Sequence, residues 1–206
     1  MKEGEIINRK AQFNFVWIFA LIIGGAMANT FLFAQGFNMG KSLIEKDLIV
    51  EAKQILEKSK YFKTNIILPV DLVCSNSLKD ISNIQFVDVN NMYPNQIALD
   101  IGDKTIELIK STILESNNIL WNGPLGAFEY KPFDNGTNQV AKIINNSIRK
   151  LNKVTIAGGG DTVAAIKKAN AEKGFTYIST AGGAFLEWLE GKESPGVKAL
   201  KDNNLS

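Results

Sequence analysis

The stretch Val154-Thr155-Ile156-Ala157-Gly158-Gly159-Gly160-Asp161-Thr162-Val163-Ala164-Ala165-Ile166 decides the fold. It opens as a short β-branched strand, passes through three glycines, and continues with an acid and a hydroxyl at the head of an apolar-periodic helix. That order suits an anion site. The strand brings the chain to the carboxyl edge of a sheet, and glycines let bare backbone amides approach a ligand. The helix start then directs unpaired N–H groups and the positive end of its dipole at the same point. Asp161 is placed to hold a divalent cation over phosphates, since magnesium takes one or two carboxylates together with phosphate oxygens. A plain strand-to-helix turn with an aspartate N-cap reads the same residues without any ligand.

Working outward, short β-branched runs alternate with helical patterns. Strands are expected at Leu21–Ile23, Asn65–Leu68, Ile84–Val87, Ile119–Trp121, Val154–Ile156 and Tyr177–Ser179. Helices are expected at Met27–Gln35, Leu48–Ser59, Lys104–Glu115, Asn138–Lys150, Thr162–Ala169 and Ala184–Leu189, with apolar residues recurring at spacings of three and four, as in Ile106, Ile109 and Ile113. Such alternation predicts βαβ units and an α/β, doubly wound, mainly parallel sheet, whose ligands bind at the carboxyl ends of its strands.

Glycine-rich strand ends occur at Gly24-Gly25, Asn122-Gly123-Pro124, Gly158-Gly159-Gly160 and Gly182-Gly183. Together on one sheet they would line its edge with exposed amides, a surface suited to a polyphosphate nucleotide. Glu129, closing Trp121-Asn122-Gly123-Pro124-Leu125-Gly126-Ala127-Phe128-Glu129, reads either as an acceptor for ribose hydroxyls or as a surface acid beside a turn. Asp71 and Asp100 fall just past strands. Asp100, followed by a glycine and a helix, is expected to cap that helix. Gly36-Phe37-Asn38-Met39-Gly40-Lys41-Ser42 resembles a P-loop, but Gln35 stands where the first glycine belongs and a helix precedes it. It reads as a helix stop and loop.

Composition narrows the chemistry. The 206 residues are 45 % hydrophobic, enough for one large core, and 23 Lys+Arg nearly balance 21 Asp+Glu, so no nucleic-acid footprint is expected. The absence of histidine removes Ser-His-Asp and Cys-His catalysis and most zinc sites. Cys74, the one cysteine, reads as a core thiol in a reducing cytoplasm. Lys2, Arg9 and Lys10, then an apolar Phe13–Gly25 and Ala26-Met27-Ala28, have the composition of an export leader. The apolar run is short and glycine-interrupted for a membrane span, and none is expected.

Taken in order, these segments resemble the C-terminal, nucleotide-binding half of phosphoglycerate kinase. The residues that carry the resemblance are Leu21–Leu32 (LIIGGAMANTFL), Gly40–Glu45 (GKSLIE), Leu68–Val73 (LPVDLV), Leu99–Gly102 (LDIG), Trp121–Glu129 (WNGPLGAFE), Ala157–Ala164 (AGGGDTVA) and Ser179–Val197 (STAGGAFLEWLEGKESPGV). The resemblance implies a single Rossmann-like nucleotide-binding domain of a normally two-domain kinase, with a six-stranded parallel sheet. It implies phosphoryl transfer between 1,3-bisphosphoglycerate and ADP, with magnesium accompanying ADP or ATP. By motif match, Gly24 and Gly25 would lie near adenine and Glu129 would meet the ribose. Gly159, Gly160, Asp161 and Thr162 would hold phosphates and metal, and Gly182 and Gly183 would offer amides to the phosphoryl group in flight.

The chain also departs from that pattern. Residues 1–20 form a segment that does not match the family, and 21–206 make up the nucleotide-binding domain. The amino-terminal domain that binds 3-phosphoglycerate or 1,3-bisphosphoglycerate is absent. So is the family's Gly-Gly-x-Lys-x-x-x-Lys segment, whose lysines neutralise phosphates. The expectation is a cytoplasmic adenine-nucleotide-binding half, inactive alone because a cleft enzyme needs both walls. Two alternatives stay open: a non-functional remnant of a degraded kinase gene, and an exported non-enzymatic domain with residues 1–28 as leader.

Overall fold

The computed structural model describes residues 20–62, 64–116, 118–151 and 153–180. Every strand expected among them forms: β1 (Ala20–Ile22), β2 (Asn65–Ile67), β4 (Gln85–Asp88), β6 (Asn118–Asn122), β7 (Val154–Gly158) and β8 (Tyr177–Ser179). Two more strands, β3 (Asp71–Ser75) and β5 (Ile97–Ile101), join them. The helices are α1 (Gly25–Ala34), α2 (Ile49–Tyr61), α3 (Asp103–Glu115), α4 (Asn135–Leu151) and α5 (Gly160–Lys168). The helix expected at Ala184–Leu189 lies outside the described residues.

Alternate residues of β1 and β2 show why the fold is doubly wound. Ile22 and Ile67 face a core shared with Ile106, Ile109 and Ile113 of α3 and Val140 and Ile144 of α4. Their neighbours Ile23 and Ile66 face the opposite side, against Ala28, Phe31 and Ala34 of α1 and Ala52 of α2. Successive strand side chains point to opposite faces, so each face carries its own helical layer. The Lys41–Glu45 side of α1 is held by Thr30, whose hydroxyl accepts the Glu45 amide at 3.1 Å.

The sheet differs from the single six-stranded one implied by resemblance. Among the described residues, β1 pairs with β2 and β6-β7-β8 form a second parallel ladder, while β4-β3-β5 is antiparallel throughout. The antiparallel sheet arises because β3 reaches β4 through a loop with no crossover helix, and parallel neighbours require one. That loop is ordered by Asp80, which accepts from Asn76, Ser82 and Asn83 at 2.9–3.1 Å. These side-chain bonds hold the Asp80 carboxyl down at about 2. The antiparallel sheet packs on α1 through Leu32, Leu72, Cys74 and Met92. Cys74 is fully buried there and burial pushes its thiol up to about 12, the inert core thiol expected.

The P-loop-like segment is a helix stop. Gly36, at φ +98°, donates to Phe33 O at 2.9 Å and Phe37 donates to Leu32 O at 3.1 Å, the paired bonds of a Schellman motif. Gly40 lies against the 93–96 turn, where a Cβ would come within 2.8 Å of Tyr93 O, and the Lys41 amide donates to Gln96 O at 2.7 Å. No phosphate cradle remains.

Asp100 does not cap the helix that follows it. It lies inside β5, buried, and its Oδ2 accepts the Gly136 amide at 2.8 Å, in the first turn of α4. The α3 start is capped instead by Asp71, which accepts the Lys104 and Thr105 amides at 3.0 and 2.8 Å. β3 and β5 are adjacent, so each acid sits beside the other's expected target. Sheet pairing, not sequence distance, chose the caps.

Candidate functional site

The ladder β6-β7-β8 aligns Asn122 with Gly158 and Gly158 with Ser179, so three strands end level at their carboxyl edge. Beyond that edge the chain turns through Gly159 (φ +97°) into α5. A side chain at Gly159 would be strained by that φ and would come 3.1 Å from Asn122 Oδ1. The turn is pinned on both sides: the Gly159 amide donates to Ser179 O at 3.1 Å, and Gly159 O accepts the Val163 amide at 3.0 Å.

The first intrahelical bond of α5 therefore belongs to Val163. Among the described residues the amides of Gly160, Asp161 and Thr162 have no acceptor, and no side chain caps them. Gly160 and Asp161 are exposed, and a Cβ built on Gly160 meets nothing within 4 Å. Open amides, open space and a helix N-terminus coincide at one point, which suits an anion. The helix carries its lysines, Lys167 and Lys168, in its last turn, where they complement the dipole.

Thr162 turns inward. It is fully buried, and its Oγ1 accepts the Gly123 amide at 2.7 Å, tying the β6 turn to α5. Its hydroxyl supports the turn, while its amide faces the site. Trp121 braces the same turn from below, donating to Gly123 O at 2.6 Å and packing on Phe175 with centroids 6.0 Å apart.

Gly24 and Gly25 reach this edge from β1. Gly25 (φ +59°) donates to Leu125 O at 3.2 Å, and a Cβ at Gly24 would lie 2.7 Å from Leu125 Cα. Close backbone contact with the β6 turn is the reason for glycine here. Three of the four glycine-rich strand ends are thus gathered, while Gly182 and Gly183 lie outside the described residues. Glu129 stands apart from the helix N-terminus. It is exposed, next to Phe128, whose carbonyl accepts Lys168 Nζ at 2.5 Å at the other end of α5. Asp161 and Lys168 are separated by roughly 10 Å of helix axis.

The edge fits a magnesium-bound polyphosphate. Asp161 is an exposed carboxylate beside unbonded amides, and among the described residues no group of three or more acidic or cysteine side chains forms a protein-only metal cage. A single carboxylate with phosphate oxygens is the arrangement magnesium accepts. Asn122 and Ser179, which shape the turn, carried no sequence signal as single residues; their positions at strand ends are what place them. No helix among the described residues is long and apolar enough to cross a membrane.

Comparisons with known proteins agree with this architecture. The family described as phosphoglycerate kinase matches residues 18–192. The phosphoglycerate kinase of Methylorubrum extorquens is 50 % identical over 181 residues, covering 88 % of this chain and 45 % of that protein. That of Rhizobium meliloti is 49 % identical over 185 residues, covering 90 % and 46 %. Among solved structures, phosphoglycerate kinase from Coxiella burnetii superposes with a TM-score of 0.78 at 39 % identity, covering 84 % of this chain and 44 % of that one. The enzyme from Pyrococcus horikoshii gives 0.74 at 28 % identity, covering 95 % and 47 %. The chain spans about half the length of the relatives it matches. With its parallel ladders, helical layers and glycine-lined strand ends, the chain belongs to the phosphoglycerate kinase family.

Proposed function

We propose that this chain is the magnesium-nucleotide-binding half of a phosphoglycerate kinase, acting on ADP and ATP in the cytoplasm and unable to turn over substrate alone. The observation that carries the reading is the trio of unbonded amides at Gly160, Asp161 and Thr162, opening onto free space at the carboxyl edge. Those amides and the α5 dipole hold the polyphosphate, and Asp161 supplies a carboxylate to magnesium, which neutralises phosphate charge when bound. Gly24 and Gly25 border the adenine side, Glu129 meets the ribose, and Gly182 and Gly183 serve the transferring phosphoryl group. Phosphoryl transfer depends on positioning and charge neutralisation, so the absence of histidine is no obstacle.

Inactivity alone follows from the missing parts. The chain spans about half of its relatives, and residues 1–20 hold no Gly-Gly-x-Lys-x-x-x-Lys segment. Loss of one preorganised donor costs about 10²–10³ in rate, and here a whole substrate wall is lost with it. A second reading, a remnant with no remaining binding function, is favoured by the break between β1 and β6. Calorimetric titration with Mg·ADP separates the two. Saturable binding, weakened tenfold or more in Asp161→Ala, is expected. A cooperatively folded chain that gives no heat of binding would leave only the remnant.

A further inference from the structure

Two parallel ladders end side by side without joining. β1 is an edge of one and β6 an edge of the other. One core lies beneath both, since Ile22 and Ile67 pack into the cluster that holds Ile119, Trp121 and Ala157. Their carboxyl ends meet where Gly25 bonds Leu125, so the two strands run the same way. Among the described residues no backbone hydrogen bond links β1 to β6.

Over this break opens a cavity of about 840 Å³, lined by Leu21, Leu48 and Ile55 among others. Its rim is apolar and open to solvent: Leu21 is 41 %, Leu48 43 % and Met27 57 % exposed. Unpaired strand edges offer backbone donors and acceptors, and an exposed apolar patch marks an interaction surface. An occupant that satisfies both must present backbone and apolar side chains together.

We infer that this break is a docking site for one extended, uncharged, β-branched polypeptide segment from outside these 206 residues, pairing with β1 and filling the cavity with alternate side chains. Residues 1–19 do not meet the requirement. They run directly into β1 at Ala20, and a parallel return needs a crossover of about a dozen residues, leaving roughly the first seven. Those are Met1-Lys2-Glu3-Gly4-Glu5-Ile6-Ile7, whose three charged side chains suit no apolar cavity. An antiparallel return needs a tight turn just before Ala20, where Phe15-Val16-Trp17-Ile18-Phe19 offers no glycine, proline, asparagine or aspartate. Strand addition to a sheet edge is an established mode of peptide capture, and this inference does not rest on the nucleotide reading.

The test uses the full 206-residue chain and a fluorescent peptide of alternating valine and threonine with lysines at both ends. Saturable binding is expected, together with slowed hydrogen exchange in β1. Methylation of alternate peptide amides should weaken binding tenfold or more, because it blocks one edge of the ladder. Leu21→Asp should weaken it similarly, and Phe86→Asp, at the 74 % exposed Phe86 on β4, should not. Equal binding of the methylated peptide, or equal loss in both variants, would reduce the effect to apolar adsorption and overturn the proposal. So would no binding, or a stable dimer broken by Leu21→Asp, which would assign the surface to a second copy. The peptide comparison needs no variant, so a misfolded Leu21→Asp leaves the test intact.

Discussion

A carboxylate buried without a cation beside it keeps its charge only through its hydrogen bonds, and Asp100 is 3 % exposed with two of them. It accepts the Gly136 amide at 2.8 Å and the Ile101 amide at 2.9 Å, and Asp134, itself paired with Lys168 at 3.0 Å, is the nearby charge. Burial pushes its carboxyl from 3.8 up to about 7, Asp134 adds to the rise, and the backbone amides work against it. The folded state therefore holds this proton more tightly than the unfolded chain does. Asp100 contributes stability that is complete below about pH 4 and lost as pH rises through about 7. The stability difference between the native chain and Asp100→Asn should fall between about pH 5 and pH 7, by at most about 1.4 kcal/mol per pH unit. Urea unfolding at a series of pH values measures it, and the exposed carboxylates common to both chains cancel. A difference independent of pH would refute the assignment. The same residue shows what sequence withholds. A cap followed by glycine and a helix is legible as a local pattern, but Asp100 serves a helix 36 residues on. Lys153 is alike: its buried ammonium donates to Ile113, Leu114 and Ser116 carbonyls at the α3 end, across as many as 40 residues.

Elements built from local periodicity were legible, as the buried Ile106, Ile109 and Ile113 of α3 illustrate. β3 and β5 were not, because Asp71 and Asp100 interrupt their apolar runs and read as strand exits, whereas both acids lie within strands. The glycine turn after β7 was legible as a phosphate-type turn, but its support was not. Nothing in the sequence announces that Thr162 faces inward to hold Gly123, although that bond joins the β6 turn to α5. Thr162→Val keeps the volume and leaves the Gly123 amide without its partner. The expected cost is about 1–3 kcal/mol in chemical denaturation, with an unchanged denaturant slope. Mg·ADP affinity should fall with it, since the turn that orients the site loosens. A variant as stable as the native chain would show that the hydroxyl is not a structural tie.

At the scale of the whole molecule, the break between β1 and β6 divides a layer that the core beneath treats as one. β7 is bonded on both sides, by β6 and β8, whereas among the described residues β1 and β2 have only each other. A two-stranded ladder is marginal by itself and relies on packing, here on the α1 and α2 side chains around Ile23 and Ile66. Cooperative opening should therefore begin there. The Ile23 amide, bonded to Ile67 O at 3.0 Å, should exchange through an opening about 1–2 kcal/mol easier than the ladder amides of β7, or roughly 5–30-fold faster. Native-state hydrogen exchange followed residue by residue decides the point. Equal protection in the two ladders would mean that the shared core, with Ile22 and Trp121 in one cluster, couples them as firmly as a missing set of strand hydrogen bonds would.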